Sequence, residues 1–156
     1  MVVVLRKPPR IKVLEAIGSL GDGRVKVISE ECAEVTSSRG DKTYKVVVLP
    51  DNRVYSSDNG TRLRGYIGYP IIAFLMKKGV IPIDREVMKA MTGVPWKDLN
   101  EKYKRYAIVE DIVLRRAERM GVAREIIYDY INIVMKKLSL MKLVYDESLA
   151  DYECNT

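Results

Sequence analysis

Histidine and glutamine are absent from the 156 residues, cysteine occurs twice, and phenylalanine and tryptophan occur once each. Without histidine the chain cannot build Ser-His or Cys-His nucleophiles, imidazole acid/base chemistry or most zinc sites. Cys32 and Cys154 alone are too few for a Cys-rich metal centre. What chemistry remains falls to Asp, Glu, Lys, Tyr or the backbone, and no convergent acid/base set is visible among them. The chain therefore reads as a binding protein and not an enzyme, with no metal and no cofactor. Two distant cysteines with no framework around them also match the usage of a reducing, intracellular compartment.

Long apolar runs are missing too. The longest uncharged stretch, Gly65 to Met76, is too short to span a bilayer. Val2-Val3-Val4-Leu5 is followed by basic residues, not preceded by them, unlike a secretory leader. The expectation is a cytoplasmic protein with no membrane partner. Absent glutamine beside abundant Lys, Arg, Glu and Asp follows the tendency of heat-adapted proteins and points to an archaeal or thermophile source.

Charge is what the chain has in excess. The net charge is +6 and the pI about 9.3. Residues 66–145 carry 15 Lys/Arg against 9 Asp/Glu, whereas 146–156 carry Asp146, Glu147, Asp151 and Glu153 with no base. A basic body suits a polyanion, and an acidic tail could compete for the same surface.

Pro8-Pro9 closes the N-terminal apolar piece, and Ile11, Leu14, Ile17 and Leu20 then share one helical face. From Arg24 the period becomes two, so 24–29, 33–37, 43–49 and 53–55 read as strands of an antiparallel meander. Beyond Gly65 the pattern is helical. Pro70, Asp84 and Pro95 open three helices, and 107–120 and 123–140 are the two strongest periodic segments. The fold class is α+β, with a β-rich half over 1–60 and a helical half over 61–156. No Ser/Gly-rich linker divides them, so the halves should pack together.

Two segments carry most of the functional signal. The first pairs the hairpin 44–55 with Ser56-Ser57-Asp58, then Arg64-Gly65, then Gly68-Tyr69-Pro70-Ile71-Ile72-Ala73. This layout resembles the SWIM domain, a small ββα zinc module that serves DNA and protein interactions. Arg64-Gly65 and Ile71-Ile72-Ala73 match that pattern. Its Cys-x-Cys and Cys-x-His positions hold Ser56, Asp58, Gly68 and Pro70, so zinc cannot be bound in that family's manner. The resemblance implies a module that has lost its metal and is held by packing, with Tyr55, Tyr66, Tyr69 and Phe74 supplying it. Arg62, Arg64, Tyr66 and Tyr69 form a basic-aromatic loop able to meet phosphates or bases; the alternative, favoured for the tyrosines, places them in the core and leaves the arginines solvated.

The second segment runs from Arg115 to Ile131 and resembles a helix-turn-helix. Ala117 supplies the small residue at the helix crossing and Gly121 the turn, with Met120, Val122, Ile127 and Tyr130 apolar around them. Arg116 stands where an apolar residue is usual, and Ala123 where a Ser or Thr cap is usual. Residues 141–146 look like the strand that begins a wing. In a DNA-reading version, Arg124 would contact guanine and Asn132 adenine, with Tyr128 beside them. Arg115, Arg116 and Lys136 would meet phosphate, while Glu125 and Asp129 would oppose it.

The function these features point to is nucleic-acid binding, of duplex DNA in regulation or chromatin organisation. Its candidate residues are Arg62, Arg64, Tyr66, Arg115, Arg116, Arg124, Tyr128, Asn132 and Lys136. The alternative is a protein-interaction subunit, a homodimer for instance, with no nucleic-acid contact.

Overall fold

In the computed structural model, which describes residues 2–154, the N-terminal apolar run becomes strand β1 (Val2–Val4). Pro8-Pro9 then hands the chain to helix α1 (Ile11–Gly21). The period-two region folds as the expected antiparallel meander, β2 (Val25–Val27), β3 (Cys32–Thr36), β4 (Thr43–Val48) and β5 (Arg53–Ser56). Six helices follow among the described residues: α2 (Asn59–Arg62), α3 (Tyr69–Lys77), α4 (Arg85–Met91), α5 (Trp96–Tyr103), α6 (Tyr106–Arg119) and α7 (Arg124–Leu140). Strand β6 (Val144–Asp146) and a 3₁₀ turn (Glu147–Asp151) complete the chain. Asp84 caps α4 by accepting from the Val87 amide at 3.0 Å, satisfying a donor the helix cannot use itself.

The fold is α+β, built on a mixed sheet of order β1-β6-β5-β4-β3-β2. Strand β6 pairs in parallel with β5 and antiparallel with β1. This corrects the wing expectation: 144–146 do form a strand, but it is buried between two others instead of projecting beside α7. A strand from the end of the helical half thus completes the sheet of the β-rich half, and α2 runs across residue 60, so the two halves share one core.

Alternation along β3 and β4 explains what covers each face. Ala33, Val35, Tyr44 and Val46 point to the helical side, where the Tyr44 ring meets Tyr69 of α3 edge-on at 6.3 Å. Beneath α3 lies α1, whose Ile11, Val13, Leu14, Ala16 and Ile17 are all 2% exposed or less. A helix buried on nearly every side belongs in an interior, and each such Ile or Leu contributes about 1.5–3 kcal/mol by burial. Helices α3, α4 and α7 pack around it.

Cys32, Lys45 and Val47 point the other way, toward the C-terminal segment. Lys45 Nζ donates to the Ala150 and Tyr152 carbonyls at 2.9 and 2.7 Å, and the Tyr152 hydroxyl donates to Glu31 at 2.5 Å. Cys32 and Cys154 are joined in a disulfide with Cα atoms 5.8 Å apart. Two sequence expectations change here. The cysteines are bonded to each other, brought together by the return of the tail. The acidic tail is also committed to the sheet, with Asp146 paired to Arg53 at 3.3 Å, and does not lie over a basic surface.

Candidate functional site

Three of the four positions that correspond to zinc ligands in the SWIM pattern meet around one carboxylate. Asp58, 7% exposed, accepts from Ser56 Oγ at 2.5 Å, Thr61 N at 3.1 Å and Thr61 Oγ1 at 2.9 Å. The Gly68 amide donates to Thr61 Oγ1 at 3.1 Å. Gly68 is packed so closely that a Cβ there would lie 2.1 Å from Asp58 Oδ2. A zinc ion does not fit: Asp58 is the one plausible ligand of the set, and both its oxygens already accept protein donors. A hydrogen-bonded knot stands where that pattern has a metal, and it fixes the 59–68 loop.

That loop lies beside the N-terminal strap, residues 5–10. Arg6 N donates to Gly65 O at 2.9 Å, Ile67 N donates to Arg6 O at 3.0 Å, and the Arg6 guanidinium donates to the Arg64 carbonyl. At its other end the strap reaches α7. Arg10 Nη1 donates to Asn132 Oδ1 at 2.9 Å, and its guanidinium lies over the Tyr128 ring at 5.7 Å from the centroid. Arg6, Lys7, Arg10, Arg62 and Arg64 are all exposed, and none forms an ion pair among the described residues. The strap therefore joins the first constellation to the second. The signal for it was present in the sequence as two arginines and a lysine flanking Pro8-Pro9, but nothing in the pattern revealed what they touch.

Helices α6 and α7 meet at a turn on Gly121. Gly121 has φ +88°, its amide donates to Glu118 O at 3.0 Å and the Val122 amide to Ala117 O at 2.9 Å. That is the Schellman closure, which requires the left-handed conformation glycine adopts without steric cost. The side chains are placed differently from expectation. Arg116 is half-buried and donates to Thr92 O at 2.8 Å and to Ala90 O, satisfying the last carbonyls of α4. Arg124 is tied to Asp111 at 2.9 Å and Glu118 at 3.0 Å, and these partners hold its guanidinium firmly protonated. Both are thus structural here, because the carboxylates and carbonyls that claim them lie on α4 and α6, out of reach of sequence spacing. Arg115 is exposed and paired with Asp111 at 2.9 Å, and Lys136 is exposed one turn beyond Asn132.

Tyr66, 8% exposed, turns inward onto a cavity of about 580 Å³ between α1, the β4–α3 layer and α5. Lys12 and Glu15 of α1 line it, the latter 4% exposed although charged. Lys12 Nζ lies 2.8 Å from Glu15 Oε2, angled as an ion pair without a directed hydrogen bond, and 5.1 Å from the Tyr106 ring centroid. Burial works against the Lys12 ammonium, but Glu15 and the tyrosines outweigh it and hold its pKa above the usual lysine range. Burial pushes the Tyr66 phenol up to about 12 and raises Tyr44 and Tyr69 as well, so all three remain donors at neutral pH.

From α5, Asn100 Nδ2 donates to Glu15 Oε1 at 3.3 Å, Glu15 Oε2 is held by the Lys12 ammonium, and Asn100 Oδ1 has no hydrogen-bond donor among the described residues. Of the cations around the cavity, Arg24 is tied to Asp22 and Lys97 to Asp41, whereas Arg64 and Lys104 pair with no carboxylate among the described residues. Sequence reasoning missed Lys12, Glu15 and Asn100. The available signal was a Lys and a Glu three residues apart on an otherwise apolar helix.

Strap, knot and cavity define an α+β protein with a basic face opening onto a tyrosine-walled polar cavity. The chain belongs to the family described as uncharacterised conserved protein UCP014422, whose model matches residues 5–144 and so contains all three features. No curated protein and no solved structure matches the chain. No helix among the described residues is long and apolar enough to cross a membrane.

Proposed function

We propose that this protein binds nucleic acid, and that it does so through the strap and not through base reading by α7. The observation that carries this is the strap, whose Arg6 reaches the Arg64 carbonyl and whose Arg10 reaches Tyr128 and Asn132, with Arg6, Arg10 and Arg64 exposed and in no ion pair among the described residues. Guanidinium groups with no carboxylate partner can displace counterions from phosphates, and that term supplies most non-specific affinity. The two residues suited to base edges, Arg124 and Asn132, are engaged internally, so sequence preference is expected to be weak. A cytoplasmic location goes with this function, and a disulfide there has precedent in heat-adapted organisms.

Fluorescence anisotropy of labelled single-stranded and duplex oligonucleotides at several salt concentrations tests the reading. Binding should weaken steeply with salt. Arg6→Ala/Arg10→Ala should lower affinity at least about tenfold and make the log–log salt slope shallower by about 1.8, two lost phosphate contacts at about 0.9 each. Arg124→Ala should change neither. No binding at low salt, or a loss on Arg124→Ala matching that of the strap variant, sinks the proposal.

A second reading rests on β1. Val2, Val3 and Val4 are 63, 40 and 62% exposed on a sheet edge, and an uncovered apolar edge invites strand pairing. Antiparallel pairing of β1 with β1 of a second copy is self-complementary. Light scattering should then show a dimer that Val3→Lys converts to monomer; a monomer at every concentration removes this reading.

A further inference from the structure

We propose that the cavity between α1 and α5 is a binding site for a nucleobase with its phosphate, supplied by a free nucleotide or by an unstacked residue of a bound strand. The inference deepens the nucleic-acid reading, because Arg64, whose carbonyl accepts from Arg6 of the strap, also lines the cavity.

Unmatched groups restrict what can occupy the cavity. Asn100 Oδ1 is a buried acceptor with no donor among the described residues. A buried acceptor left unmatched costs free energy, so the occupant must bring an N–H or O–H group to it. Arg64 and Lys104 are cations without carboxylate partners, so the occupant must also carry an anion. A polyamine would meet repulsion from these two, and a wholly anionic ligand would leave Asn100 Oδ1 without a donor. Tyr44, Tyr69 and Trp96 also line the cavity, and an aromatic lining suits a planar group. A base bearing an exocyclic amine provides donors, planarity and, through its phosphate, the anion. Adenine, cytosine and guanine offer an exocyclic amine to Asn100 Oδ1; uracil has only its ring N–H.

Trp96 lines the cavity and is the chain's single tryptophan, so its emission reports occupancy directly. The full-length protein would be titrated with AMP, CMP and UMP, with adenosine, with phenylalanine, and with a single-stranded and a duplex oligonucleotide. Trp96 emission would be followed for all, with calorimetry for the small molecules and anisotropy for the oligonucleotides. AMP or CMP should quench Trp96 saturably. UMP and adenosine should bind about tenfold more weakly, the first lacking the amine for Asn100 Oδ1 and the second the phosphate for Arg64 and Lys104. Asn100→Leu, a good helix former on α5, and Lys104→Gly, at a left-handed position (φ 56°), should each weaken AMP by a comparable factor. Their melting curves would establish that both fold.

The arms separate the two proposals. Nucleotide binding lost on Asn100→Leu but retained in Arg6→Ala/Arg10→Ala establishes the cavity whatever the strap does. Trp96 quenching by the single strand but not by mononucleotides identifies the source as an unstacked residue. Oligonucleotide binding that leaves Trp96 emission unchanged and is indifferent to Asn100→Leu keeps the strap and overturns the cavity. Tighter binding of phenylalanine than of any nucleotide, or no response to any of them, also overturns it.

Discussion

Cys154→Ser is expected to lower the melting temperature by about 8–16 °C, from a stability loss of about 4 kcal/mol at about 2–4 °C per kcal/mol. The disulfide links residues 122 apart, so it closes most of the chain into one loop and removes a correspondingly large share of unfolded-state freedom. A second effect acts in the native state. The 3₁₀ turn and tail are the cover for Cys32, Lys45 and Val47, and without the link that cover rests on Lys45 to Ala150 and Tyr152, and on Tyr152 to Glu31. Thermal melts of the wild type with and without reductant, beside Cys154→Ser, check this. A reductant-insensitive melting temperature identical to that of the variant would show that the tail is not bonded to β3.

Asp58→Ala is expected to cost about 3–5 kcal/mol, read as a lowered urea midpoint. The change orphans Ser56 Oγ, Thr61 N and Thr61 Oγ1 together, and each buried donor left unpaired costs about 1–3 kcal/mol. It also removes the cap of α2, and α2 begins the loop that presents Arg62, Arg64 and Tyr66. Asp58→Asn keeps the shape and some acceptor capacity, so it should lose clearly less. Gly68→Ala should approach the alanine variant's loss from the opposite direction, by driving a methyl into the Asp58 carboxylate. Should Asp58→Ala fall within about 1 kcal/mol of wild type, the knot is not what fixes the loop. Oligonucleotide affinity measured on the same variants would show whether fixing the loop also organises Arg64.

Element identity was legible because it depends on local rules. The α4 cap at Asp84, the helix opening near Pro70 and the glycine turn at 121 all formed where the residues indicated. Each involves a backbone conformation or a hydrogen bond spanning four or five residues, so a short window contains the whole cause. Partnership was not legible. Arg116 and Arg124 look identical in sequence to Arg62 and Arg64, yet the first pair is consumed by carbonyls of α4 and carboxylates of α6 while the second stays exposed. A long cation takes whichever acceptor the packing brings near, and that is decided by elements distant in the chain.

The candidate site divides along the same line. The basic-aromatic loop at 62–69 and the helical pair at 106–140 could be named from residue types. Their connection could not, because it runs through the strap at 5–10, whose Arg6 bonds to residue 64 and Arg10 to residue 132. The cavity was likewise invisible, since Glu15, Asn100 and Lys104 converge only once α1 and α5 have packed against the sheet. By itself, then, the sequence determined the α+β class, the meander, the longer helices and a surplus of unassigned positive charge, all consequences of periodicity, capping and composition. Only the tertiary structure decided that the last strand enters the middle of the sheet, that Cys32 meets Cys154, and which cations stay unpaired. The reason is that contacts across tens of residues are set by the packing of whole elements, and a local pattern carries no record of them.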